Sequence, residues 1–259
     1  MGIPKIIHYC WFGGNKKPAL IKRCIRSWKK YCPDYKIVEW NENNFDIHCI
    51  PFCEQAYEAK KWAFVSDYAR LKVLLDHGGI YMDTDVELVR PLDDLLSLDC
   101  FLGFQHEHYV NNGLILGATK GNRFVHENAA IYEKSCFTPY EDSMKLTVCQ
   151  EYTTELLKQY GLVVPDTGDI QVVNGVHVFP SDYFCPYDHR YNRMNRTEHT
   201  YAIHHFASSW WDDTRKKQYL RNKRREKMDY LLHIPNRFFM KVLGDKQYER
   251  LKRAVKRNK

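Results

Sequence analysis

The stretch Trp62–Asp85 constrains the fold of this chain more than any other. Phe64, Val65, Tyr68, Leu71, Val73, Leu74 and Leu75 fall at helical spacing and predict a helix over Trp62–His77 with a broad apolar face. Gly78-Gly79 supplies the glycine stop that ends such a helix. Ile80–Met82 then reads as a short strand that runs out into Asp83-Thr84-Asp85. A helix feeding a strand that ends on paired carboxylates belongs in an α/β domain. There, ligands bind outside the carboxyl ends of the strands.

The remaining pattern agrees. Strands are predicted at Lys5–Phe12, Tyr35–Trp40, Phe101–Gln105, Gly113–Ala118 and Tyr201–His205. Helices are predicted from Pro18 (with Leu20, Ile21, Cys24, Ile25 and Trp28 as the apolar stripe), over Phe124–Glu133 and over Glu151–Tyr160. Asn174-Gly175, between Ile170–Val173 and Val176–Phe179, is a two-residue hairpin signal. At 259 residues with 44% hydrophobic positions, wholesale disorder is excluded. No apolar run reaches the ~18 residues of a membrane span. The start carries no secretory pattern and reads as the first strand of a cytosolic protein. The nine cysteines are scattered without Cys-x-x-Cys spacing, which predicts reduced, mostly buried thiols. A zinc cluster at His48, Cys49 and Cys53 is disfavoured for the same reason.

Charge divides the chain into a body, 1–214, and a tail, 215–259. The tail holds 17 Lys+Arg against 4 Asp+Glu, leaving 22 against 28 for the body. Pro235 splits the tail into two predicted helices that also carry Phe238, Phe239 and Met240. Such a basic helical appendage either packs on the body, binds an anionic membrane surface or binds nucleic acid. Helices with a Phe-Phe-Met junction favour membrane over nucleic acid.

Asp83 and Asp85 are hard oxygen donors one residue apart, the pattern that shares a divalent cation with a polar ligand. Upstream, Asp67 and Arg70 share one helix face three residues apart, among apolar neighbours where an unpaired charge is costly. Three motifs in order, Ile3-Pro-Lys-Ile-Ile-His-Tyr-Cys-Trp11, Ser66-Asp-Tyr-Ala-Arg70 and Gly78-Gly-Ile-Tyr-Met-Asp-Thr-Asp85, resemble glycosyltransferase family 32. The likeness is dense over 3–96 and returns at Ala202-Ile-His-His-Phe-Ala-Ser-Ser-Trp210. It extends to the glucosylating domains of the large clostridial toxins.

The resemblance implies a GT-A type α/β fold with a mixed, mostly parallel sheet, followed by the basic appendage. It implies a retaining, metal-dependent transfer of a hexose from a nucleotide sugar, a UDP-sugar first. Asp83, Asp85 and Asp67 carry the catalytic roles. Trp11, Asp67, Arg70, Tyr81, Asp83, Asn112 and Trp210 would meet the donor, and Asp85, His205 and Ser208 would hold Mn²⁺ or Mg²⁺. His205 stands where the related toxins carry an acid; His204 and His205 face opposite ways on a strand, and the spacing favours His205. Trp11 has a second reading as a core aromatic, and Asn111-Asn112-Gly113 a second reading as a turn. The expected acceptor is a glycan or lipid-linked oligosaccharide of bacterial surface polysaccharide, met at the cytoplasmic face of the membrane without nucleic acid. A non-catalytic sugar- or membrane-binding module and a metal-dependent phosphohydrolase are the rival readings.

Overall fold

The structure, a computed structural model, describes residues 2–106, 108–137, 149–188, 193–207 and 221. The chain runs β1 (Ile6–Cys10), α1 (Ala19–Tyr31), β2 (Lys36–Trp40), α2 (Pro51–Glu58), α3 (Trp62–His77) and β3 (Gly79–Tyr81). It continues with β4 (Val86–Leu88), β5 (Cys100–His106), β6 (Tyr109–Ala118), α4 (Arg123–Glu133) and α5 (Cys149–Gln159). The last elements are β7 (Gln171–Val173), β8 (Val176–Phe179), α6 (Ser181–Phe184), β9 (Tyr187–Asp188), β10 (Arg193–Met194) and β11 (Ala202–His204). The basic tail 215–259 lies outside the described residues apart from Arg221.

Seven strands form one sheet in the order β2-β1-β3-β6-β5-β8-β7. β1 pairs in parallel with β2 and β3, and β5 with β8, while β6 and β7 run antiparallel to their neighbours. Five of the seven strands therefore point the same way, the mixed and mostly parallel sheet that the resemblance implied. β4 leaves this sheet and pairs antiparallel with β11 in a small sheet of its own. That pairing brings the chain after Asp85 against the late His-His segment.

The strands sort their side chains by alternation. Cys10, Tyr81, Cys100, Leu102 and Leu116 join a core with α2, α3, α4 and α5, whereas Ile7, Ile80, Phe101 and Ile115 join a second core with Trp28 and Phe184. α3 is buried nearly all round rather than on one stripe, from Phe64 to Leu74. Its boundaries match the sequence reading, with Gly78 at φ 66° closing it through an N–H donated to Leu74. The β7–β8 hairpin turns on Asn174 and Gly175 with φ 48° and 79°, the doubly positive geometry that Asn-Gly favours.

Three expectations change. Asn111-Asn112-Gly113 makes no turn: β6 begins at Tyr109, and the triplet lies inside the strand. α2, which carries Pro51 in its first turn, was not anticipated. The late strand ends at His204, one residue short of the expected His205. All nine cysteines are free, with only Cys49 and Cys136 exposed.

Candidate active site

Burial of an arginine needs several acceptors, and the chain supplies them from three elements. Arg70, 3% exposed on α3, pairs with Asp67 one turn earlier at 2.9 Å and with Asp83 beyond the end of β3 at 3.3 Å. It donates to Asn112 Oδ1 on β6 at 2.9 Å and to the Cys149 sulfur on α5 at 3.3 Å. Tyr81 stacks its ring 5.0 Å from the guanidinium and donates its hydroxyl to Asp83 at 2.9 Å. Asp67, Arg70, Tyr81, Asp83 and Asn112, singled out in the sequence, thus converge on one cluster.

The charges follow from this enclosure. Burial pushes the Asp67 carboxyl up to about 6, with the Arg70 charge opposing and Asp83 adding to the rise. Burial raises Asp83 as well, again against Arg70. Burial disfavours the Arg70 charge, yet Asp83, Tyr81 and Asp67 hold it firmly protonated. The Asp83 side chain keeps 31% of its exposure against 11% for Asp67, so Asp83 is the face of the cluster that a ligand can reach.

Gly113 makes this approach possible. A Cβ there would sit 2.5 Å from Asp83 Oδ2 and 2.8 Å from an Arg70 nitrogen, while its carbonyl accepts the Asp83 N–H at 2.8 Å. Gly113 and Cys149 are the two members that the sequence reading missed as site residues. The Asn-Gly dipeptide was a signal, but its turn chemistry masked its packing role. Cys149 carried no signal.

Asp85 lies at the entrance to β4. Its Oδ1 is 3.3 Å from His204 Nε2, its Oδ2 accepts the Ala207 N–H at 2.7 Å, and its carbonyl accepts the His205 N–H at 3.0 Å. Burial works to raise this carboxyl, but His204 and the Ala207 N–H outweigh it and hold Asp85 below the ordinary carboxylate range. Burial likewise works against a charged His204, yet the facing carboxylate lifts it to about 10.

This corrects the expectation for His205. In the β4–β11 register His204 lies opposite Val86, and it is His204 that turns to Asp85. The His205 ring meets Glu87 at 2.7 Å and Arg23 at 3.3 Å instead. Spacing alone could not decide between the neighbours, because a shift of one residue exchanges the two faces of a strand.

Residues 18–102 match the family model described as "Glycosyltransferase sugar-binding region containing DXD motif". An uncharacterized glycosyltransferase of Acanthamoeba polyphaga mimivirus is 25% identical over 205 residues, 71% of this chain and 78% of that protein. The chain is a glycosyltransferase, similar over these residues to the DXD-motif enzymes of the family 32 type. Inositol phosphoceramide mannosyltransferase 3 of Schizosaccharomyces pombe is 30% identical over 127 residues, 48% of this chain, which spans only 35% of that relative's length. Among solved structures, the PaToxG glycosyltransferase aligns at TM-score 0.49 and 22% identity, covering 61% of this chain and 70% of that one.

In this glycosyltransferase the two DXD carboxylates are built differently: Asp83 is tied into the Arg70 cluster, and Asp85 faces His204. A carboxylate with an imidazole is a donor pair suited to a divalent cation, Mn²⁺ better than Mg²⁺. Among the described residues no three His, Cys, Asp or Glu side chains are grouped to hold a metal. Asp85 and His204 are the two donors the described residues bring together here. Ser208 and Trp210 lie outside the described residues. Trp11 follows the carboxyl end of β1, half-buried, donating its indole N–H to the Asn15 carbonyl at 2.7 Å with the Lys17 ammonium 5.3 Å above its ring. It packs on the edge of the second core, so both of its sequence readings keep a physical basis.

Proposed function

We propose that the enzyme moves a hexose from a nucleotide sugar, a UDP-hexose first, onto a glycan or lipid-linked acceptor with retention at the anomeric carbon. The observation that carries this reading is the juxtaposition of two differently built carboxylates, Asp83 and Asp85, beyond the end of one strand. Each has its own cationic partner. Asp85 would hold the divalent cation that binds the donor diphosphate, with His204 joining it as a neutral imidazole once the cation displaces its proton. That cation supplies Lewis-acid neutralisation of the leaving group's charge.

The chain's own residues account for the rest. Arg70 fixes Asp67, Asp83 and Asn112 so that polar atoms of a sugar meet preorganised groups. Asp83, facing outward from this cluster, offers negative charge where the sugar ring becomes positive in the transition state. Its bonds to Arg70 and Tyr81 both fall on Oδ1. The transfer we infer is front-face, with the departing phosphate oxygen accepting the acceptor's proton. Trp11 would lie against the nucleotide base, and Ser208 and Trp210 would complete the cation and phosphate contacts.

The acidic body with a basic, aromatic tail supports a lipid-linked acceptor and action at the inner face of a bacterial membrane. No described helix is long and apolar enough to cross a membrane. The test is release of nucleoside diphosphate from a panel of nucleotide sugars, with Mn²⁺ and then with chelator. Cleavage of one donor that stops on chelation is expected. Chelator-insensitive release, or silence across the panel with no metal-dependent nucleotide binding, would refute the reading.

A further inference from the structure

A second cluster of charge lies on the face where α1 meets β4. Arg23, Arg26 and Lys30 recur along the outward side of α1, opposite its buried Ile21, Cys24 and Trp28 stripe. Arg196, from the segment before β11, faces them across a cavity of about 360 Å³. Its floor is a built one: Ser27 Oγ accepts the Leu88 N–H at 2.9 Å, and Trp28 donates its indole N–H to the Val86 carbonyl at 2.8 Å. These two bonds lock the helix to the strand and fix the spacing of the cations above.

Four cations line this cavity with one carboxylate, Glu87. Glu87 is already engaged, by Arg23 at 3.2 Å and by His205 at 2.7 Å. Arg26 and Arg196 have no carboxylate partner among the described residues, and Lys30 has only the Tyr31 hydroxyl and ring. Like charges gathered around a concavity repel one another, and an anion removes that cost while arginine forks add directed bonds to its oxygens. Glu87, on the cavity wall, pairs with His205, whereas Asp85 turns to His204.

We infer that this cavity is a second ligand site, distinct from the donor site, that binds the phosphate group of an anionic ligand. Its chemistry suits a phosphate ester, carried by a lipid headgroup or by a soluble molecule. The inference does not depend on the transferase reading.

The test uses the full chain in chelator, so that no metal-held diphosphate site contributes. Two probes are compared: vesicles of phosphatidylcholine doped with phosphatidylinositol, and inorganic phosphate followed by calorimetry. The variant is Arg26→Glu with Arg196→Glu, both exposed positions. The control is Lys134→Glu with Lys158→Glu, which changes the net charge equally at exposed positions remote in sequence. Each cation near an anionic surface contributes about fivefold, so the double variant should lose roughly 25-fold in vesicle binding while the control changes by less than about twofold. Loss with vesicles assigns a lipid source, and loss with inorganic phosphate alone assigns a soluble one. The inference is overturned if the variant binds both probes like the unaltered protein, if the control loses as much as the variant, or if neither probe binds.

Discussion

The two acid–base pairs beside the DXD motif are assembled in opposite ways. The Asp67–Arg70–Asp83 cluster is nearly contiguous in sequence, buried under α3 except at Asp83, and bonded from α3, β3 and β6, with Arg70 Nε and Asn112 Nδ2 left without a hydrogen-bond partner among the described residues. The Asp85–His204 pair joins distant parts of the chain through three-residue strands, and each partner has few other bonds. A cluster with a buried arginine at its centre is rigid and expensive to break. A pair at a short strand's end can open to admit a ligand with little cost to the fold. Stability should therefore reside in the first and ligand binding in the second.

Removing the centre of the buried cluster should have the largest effect on folding. Arg70→Ala leaves Asp67 buried without its counter-charge, and chemical denaturation should record a loss of about 3–5 kcal/mol. An equally stable variant would mean that the cluster is not buried.

Acidity sharpens the same contrast. Asp67 has a folded pKa of about 6 against an ordinary value of 3.8, so between those limits the folded state holds the proton more tightly than the unfolded state. Its contribution to stability is greatest below pH 4 and declines as pH rises through 6. In urea unfolding, the decline attributable to Asp67 should be of order 2–3 kcal/mol and absent from Asp67→Asn. A pH profile identical in both proteins would contradict the enclosure of this carboxyl.

Gly113→Ala adds a methyl group against Asp83 and Arg70, and overpacking of this kind costs about 1–3 kcal/mol. Because it displaces Asp83 itself, donor turnover should fall further than stability does; unchanged turnover would show that Asp83 has room to move.

The smallest effect belongs to His205. Its bond to Glu87 is half-exposed, and His205→Ala should cost under about 1 kcal/mol and spare nucleotide-sugar cleavage. A variant as inactive as His204→Ala would return His205 to the transfer site.

The same contrast explains what was legible in the sequence. Asp67 and Arg70 are one helical turn apart, and Tyr81 and Asp83 follow within the next strand, so local periodicity alone groups them. The helix Trp62–His77 and the Asn174-Gly175 hairpin were legible for the same reason: their signals are local. Gly113 was quoted and misread, because a glycine required for close packing and one required for a turn look alike in a sequence. The choice between His204 and His205 depends on the register of β11 against β4. That register is set by contacts some 120 residues apart in the chain, and no spacing within either segment contains it. Cys149 enters the cluster only because α5 packs along β6, a tertiary fact without a local trace.

The division of labour between the two carboxylates is tested most directly by Asp85→Asn, assayed for nucleoside diphosphate release beside its thermal unfolding. The amide preserves the shape of the side chain and an acceptor for the Ala207 N–H, so folding should survive while metal-dependent turnover is abolished. An Asp85→Asn protein that still cleaves its nucleotide sugar in a metal-dependent manner would contradict the account.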